Sequence, residues 1–273
     1  MSASSPPSSL GTALVTGASS GIGKVYAQKL ARRGYDLIIV ARNRSRLDEL
    51  ATAIATETGR TVEVLPADLG KAEDVAAVAA RLADDPAITL LVNNAGSGTE
   101  GPIIGADPAK IDAMLDLNVR ALTRLAVAAV NAFSARGRGT LVNIASVVAI
   151  VPEQFFGAYS ATKAYVLALT QSLGAELKDS PVRLQAVMPG LTRTEFFDRA
   201  GLDINALPAH MVMAPEDLVE AALRGLEAGE VYTIPSLPDA SGWDALTAAR
   251  MVLAPDLSHA RPAARYGLAA AAE

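Results

Sequence analysis

Residues 12–24 read TALVTGASSGIGK: a short apolar run, then Gly17, Gly21 and Gly23, then Lys24. A β-branched run that breaks into glycines and resumes as an amphipathic pattern predicts a strand handing over to a helix. Glycines at such a junction leave bare backbone N–H groups beside a helix N-terminus, whose partial positive charge suits a dinucleotide pyrophosphate. A mononucleotide P-loop has the same flavour but requires Gly, four residues, then Gly-Lys-Ser/Thr. Here Ala18 stands at the first glycine and Val25 at the hydroxyl, so that reading fails.

Outward from this junction the rhythm repeats. Strands are expected at 12–16, 36–41, 61–65, 88–92, 139–145, 182–188 and 231–234, and helices near 22–33, 44–58, 72–83, 108–135, 158–178 and 215–228. Strands that are apolar on both faces and alternate with helices predict an α/β fold: a Rossmann-like, doubly wound parallel sheet of about seven strands, helices on both faces. Residues 11–235 are expected as one domain, with an irregular segment at 190–214 suited to substrate, and 236–273 as a C-terminal extension packed on it or on a neighbouring subunit. The Ser/Pro-rich residues 1–10 are expected as a disordered tail without the features of a signal peptide.

Composition narrows the function classes. Of 273 residues 51% are hydrophobic, enough for a substantial core, while aromatics reach only 4%, so Ala, Val and Leu must fill it. A net charge of −5 with scattered cations argues against nucleic acid. The absence of cysteine excludes thiolate catalysis and zinc–cysteine sites, and no apolar run approaches a bilayer span. The expected compartment is the cytoplasm. His210 and His259 are isolated, offer no metal spacing and are read as non-catalytic.

The glycine spacing is followed by ADL at 67–69, NNAG at 93–96, LNV at 117–119, NIAS at 143–146, YSATK at 159–163 and PGLTRT at 189–194. In this order the motifs resemble those of the short-chain dehydrogenase/reductase family, over residues 12 to about 194 with a thinner match to 234. Gly17, Arg42, Asp68, Asn93, Ser146 and Pro189 also fall at the C-terminal ends of expected strands, where open parallel sheets bind ligands.

The end of the second strand reads Ala41-Arg42, where an acidic residue would accept from the 2′-hydroxyl of NAD. A guanidinium can instead bind a 2′-phosphate, so Arg42, helped by Asn43 or Arg46, predicts NADP(H) over NAD(H). The resemblance implies that Thr16, Gly17, Ser19, Ser20, Gly21, Ile22 and Gly23 hold the pyrophosphate. It implies that Asp68 and Leu69 hold the adenine, and that Asn94, Ala95 and Gly96 line the adenosine side. Pro189, Gly190, Thr192 and Thr194 would lie at the nicotinamide end.

Ser146 lies thirteen residues before Tyr159, and Lys163 follows one helical turn later on the same face. A free tyrosine, with a pKa of about 10, exchanges protons poorly near neutrality. A nearby ammonium is expected to lower it by roughly two to three units, about 3–4 kcal/mol. By resemblance Tyr159 is the general acid/base, Ser146 orients the substrate, and Lys163 contacts the nicotinamide ribose. Asn118 keeps a water near the lysine. Tyr165, six residues beyond Tyr159, is on another face and is expected to pack.

The surroundings, VVAIVPEQFF at 147–156 with Phe196, Phe197, Met211 and Met213, predict a hydrophobic ketone, aldehyde or secondary alcohol. Reductases of acyl-carrier-protein thioesters, close relatives by the same resemblance, commonly carry an arginine where this chain has Ala175, and usually end soon after the seventh strand. A cofactor-binding sensor without turnover is the alternative from another class, but such proteins tend to lose the tyrosine or lysine. The helices at 108–135 and 158–178 resemble those through which the family pairs subunits, which implies a homodimer or homotetramer.

Overall fold

Seven parallel strands form one sheet in the computed structural model, which describes residues 8–98, 101–154, 157–199, 201 and 203–268. They are β1 (Thr12–Thr16), β2 (Asp36–Ala41), β3 (Val62–Pro66), β4 (Ile88–Asn93), β5 (Gly139–Ile144), β6 (Val182–Val187) and β7 (Tyr232–Thr233). The order β3-β2-β1-β4-β5-β6-β7 reverses between β1 and β4. A crevice opens there at the strands' C-terminal ends, and β1 enters it through Gly17.

Strand residues divide between two cores because successive side chains point to opposite faces. Ala13, Val15, Leu37 and Ile39 pack on one side with α1 (Gly21–Arg32), α2 (Arg44–Thr58) and α8 (Pro215–Glu227). Leu14, Ile38, Val40 and Leu91 pack on the other with α3 (Ala72–Asp84) and α5 (Leu122–Arg136). Each buried Leu, Ile or Val contributes roughly 1.5–3 kcal/mol, and the fully apolar strands exploit this on both faces. An irregularity in the β1–β4 pairing pairs Thr12 with Ile88 but Ala13 with Leu90, and sends Ile88 and Leu90 to different cores.

Three expectations change. The helix expected at 108–135 is α4 (Pro108–Leu115), a π-helical turn (Asp116–Ala121) and α5. Within the expected tail, residues 1–7 lie outside the described residues. Ser8 is held, its N–H donating to Asp36 (2.8 Å) and its hydroxyl to the Gly34 carbonyl (2.6 Å). The strand expected at 231–234 has two residues, because only Ala186 and Val187 of β6 pair with it.

Contacts divide the chain into Met1–Pro235 and Ser236–Glu273. The second unit holds the helix Ser241–Val252 and short 3-10 turns, and its described side chains, Leu246, Met251, Leu257 and Tyr266 among them, are largely exposed.

Candidate active site

The glycine loop is fixed from below. The Thr16 hydroxyl is fully buried and accepts from the N–H groups of Asn94 (2.9 Å) and Ala95 (3.0 Å). The Asn94 side chain donates to the Thr16 carbonyl at 2.8 Å. These two residues clamp β1 to β4, and their side chains hold the loop rather than face outward. Gly17 has φ +67°, and a Cβ on it would stand 2.8 Å from Asn94 Nδ2; one on Gly23 would stand 2.4 Å from the Gly17 carbonyl oxygen. Ser19, Ser20, Gly21 and Ile22 continue the loop into α1, whose first turn carries no acidic residue. A tight backbone approach beside an uncountered helix N-terminus fits a pyrophosphate.

At the end of β2, Arg42 is exposed and has no carboxylate partner among the described residues. Asn43 caps α2, accepting from the Arg46 N–H at 3.0 Å. Arg46 is bound to Glu195 at 2.9 Å. Asp68 accepts from the Gly70 N–H (3.1 Å), and Leu69 is buried.

The catalytic candidates converge past β5 on α6 (Gly157–Glu176). Ser146 lies beside Tyr159, and its hydroxyl donates to the Pro189 carbonyl at 3.3 Å. Lys163 is buried, donates to the Ile144 carbonyl at 2.8 Å, and lies 5.8 Å from the centre of the Tyr159 ring. Burial pushes the lysine from 10.5 down to about 8. Burial also raises the phenol, and the neighbouring Ser146 offsets this only in part. The expected lysine-driven fall of the tyrosine pKa is therefore absent from this geometry. Desolvation acts on both groups and favours the neutral phenol.

Asn118 lies on the π turn. Its Oδ1 accepts from the Ser97 N–H (2.9 Å), and its Nδ2 donates to the Ser97 carbonyl (2.8 Å) and to Thr162 Oγ1 (3.1 Å). A Cβ on Gly96 would stand 3.2 Å from Asn118 Oδ1 and 3.7 Å from Lys163 Nζ, so these three meet. Gly190 accepts from the buried Thr192 hydroxyl (3.0 Å), and Thr194 packs beside Gly21.

Of the expected apolar wall, Phe196 on α7 (Glu195–Arg199) reaches Tyr159, with ring centres 5.4 Å apart. Phe197 is buried behind it, Met211 is exposed, and Phe155 and Phe156 lie outside the described residues. Tyr165 does not pack in the core: it is half-exposed and its hydroxyl meets Thr123 at 2.9 Å. His259 pairs with Asp256 at 3.1 Å in the second unit, and among the described residues no cluster suits a metal.

Sequence reasoning missed Gly98, Thr162 and Glu195. Gly98 admits the Phe196 ring, since a Cβ there would stand 2.8 Å from Phe196 Cζ. Thr162 was the readable one: it sits three residues after Tyr159, on the same helix face.

Comparison with known proteins agrees with this geometry. A family model described as short chain dehydrogenase matches residues 11–204. The structure of a short-chain dehydrogenase from Sphingobium yanoikuyae in complex with NADPH is 48% identical, with a TM-score of 0.91, covering 94% of this chain and 100% of that one. A bulky-bulky ketone specific alcohol dehydrogenase from Comamonas testosteroni is 43% identical, with a TM-score of 0.86, covering 94% and 98%. A very-long-chain 3-oxoacyl-CoA reductase of Anas platyrhynchos is 31% identical over 236 residues, 85% of this chain and 73% of that protein.

Proposed function

The chain belongs to the short-chain dehydrogenase family and is an oxidoreductase acting on CH–OH groups; from that premise we propose that it uses NADP(H) to interconvert bulky apolar ketones and their secondary alcohols. The observation that carries the reading is the convergence of Tyr159 and Lys163 past β5, where Ser146 follows the strand, beside an aromatic wall at Phe196. The likeness to an NADPH complex and to a ketone-specific enzyme supports it. Arg42, exposed and without a carboxylate partner among the described residues, supports the 2′-phosphate preference.

When bound, the nicotinamide gives or takes the hydride. The glycine loop holds the pyrophosphate, and Lys163 is the cation nearest the tyrosine ring, in reach of a ribose beside Gly96. Ser146 orients the substrate oxygen, and Tyr159, kept protonated by burial, donates its proton to that oxygen during reduction. The helical runs 108–136 and 157–176 expose Leu115, Val127 and Tyr165, which supports a homo-oligomer assembled through them.

The test is NADPH oxidation against ketones of graded bulk, with a 3-oxoacyl-CoA in the panel because of the reductase relative. The highest kcat/KM is expected on a ketone flanked by two bulky groups. Preference for the thioester would favour the acyl reductase, and NADPH binding without turnover would favour the sensor. Arg42→Asp is expected to shift preference towards NADH by roughly 10–100-fold, the worth of a charged hydrogen bond; unchanged preference would remove Arg42 from its role.

A further inference from the structure

The chain leaves the sheet after Thr192 and is fastened again at Met213. Thr192 and Met213 form an isolated parallel bridge, with the Arg193 N–H donating to Met213 (3.0 Å) and the Met213 N–H to Leu191 (2.9 Å). Just past the first fastening comes α7. Its Phe196 stands between the Tyr159 ring at 5.4 Å and the bare Cα of Gly98. It occupies space that a substrate approaching the phenol must share.

The residue before it reaches to α2. Both carboxylate oxygens of Glu195 accept from Arg46 Nη1, at 3.1 and 2.9 Å. Arg46 is tied through its N–H to Asn43, and so to the turn that carries Arg42. Glu195 also borders a cavity of about 520 Å³ shared with Gly21, Lys24, Arg193 and Thr194, at the first turn of α1. One five-residue helix thus carries neighbouring residues that touch Arg46, a little along the chain from Arg42, and the tyrosine.

We propose that Glu195 is a specificity-determining residue for both halves of the reaction: it competes with a cofactor 2′-phosphate for Arg46, and through Arg46 it positions Phe196 over Tyr159. The inference rests on the NADP(H) reading above. A phosphate beside Arg42 attracts Arg46 and repels Glu195, so phosphate and ion pair disfavour one another. The pair is exposed and screened, which makes it readily exchanged. By linkage, a phosphate that loosens α7 is itself bound more weakly while α7 is held, by the same factor. NADH, with a hydroxyl at that position, leaves the pair and Phe196 in place. The site consequently admits bulkier ketones with NADPH than with NADH.

Glu195→Gln removes the charge and keeps the shape. Dissociation constants for NADPH and NADH, from cofactor fluorescence without substrate, are the primary readout. NADPH is expected to tighten about three- to tenfold at low salt, with NADH unchanged and the difference shrinking as ionic strength rises. With saturating NADH, where the unmodified protein keeps the pair and Phe196 in place, KM for a bulky ketone is expected to fall while kcat holds. In an Arg46→Gln background the same substitution is expected to do nothing further. Equal shifts for both cofactors, or none, would overturn the proposal while leaving NADPH turnover, and the functional reading, intact. Failure of the unmodified protein to bind either cofactor would overturn both.

Discussion

Lys163 shows what residue spacing tells and what only packing decides. Its i, i+4 relation to Tyr159 follows from helical geometry, so the pairing of cation and phenol was legible in YSATK. The sign of the phenol's shift was not, because it depends on how deeply packing buries the phenol, while the ammonium turns to donate to the Ile144 carbonyl. With Lys163 lowered to about 8, its charge is lost as pH rises through that value. The cost of burying the cation is borne below pH 8 and relieved between there and 10.5, so this residue alone makes the fold more stable as pH climbs. For catalysis the sign is opposite: Lys163 would hold the cofactor ribose only while charged, so kcat/KM for reduction is expected to hold to about pH 7 and then fall about tenfold per unit above 8, the behaviour of one group that must keep its proton. Lys163→Arg, whose guanidinium keeps its proton, is expected to move that limb upward. A pH–rate profile unmoved by the exchange would assign the limb to another group.

Elements were read more securely than their irregularities. The parallel α/β sheet was legible because strands apolar on both faces have few other homes, and 36–41 and 44–58 emerge as β2 and α2 without adjustment. The π turn at Asp116–Ala121 and the five-residue α7 were not, because each is stabilised by partners distant in sequence: Ser97 and Thr162 for the first, Glu195 with Arg46 for the second. Thr162 joins two elements, donating to the Tyr159 carbonyl (2.8 Å) and accepting from Asn118 (3.1 Å). Thr162→Val keeps the shape but leaves the buried Asn118 amide short of an acceptor. The expected cost is about 1–3 kcal/mol in urea unfolding, with a fall in kcat that exceeds any change in KM. Thr162→Ser, which restores the hydroxyl, is expected to recover most of both. Equal stability and kcat in the valine variant would show that Ser97 alone holds Asn118.

At the scale of the molecule, the helix that begins the glycine cradle is tied to the helix that follows the substrate excursion. Glu220 of α8 receives Lys29 (2.9 Å) from α1, Arg33 (3.2 Å) from the residue capping α1 and Arg224 (3.1 Å) from its own helix, while Arg33 also binds Glu227 (2.6 Å). Such a network was beyond sequence reading, since α1 and α8 lie some 190 residues apart and meet only through the sheet. Its cations hold the Glu220 carboxyl down from 4.5 to about 2. A depressed carboxyl stabilises the fold above its unfolded pKa and loses that contribution as pH falls through the folded one, here between about 4.5 and 2. The side chain is a third exposed, so screening limits the worth to about 1 kcal/mol. For a domain of this size that corresponds to about 2–4 °C in Tm. Glu220→Gln is thus expected to melt a few degrees lower at pH 7 and low salt, and the gap should narrow below pH 4.5 and at high ionic strength. A gap that stays constant across both titrations would mean that packing between α1 and α8, rather than charge, sets the cost of the change.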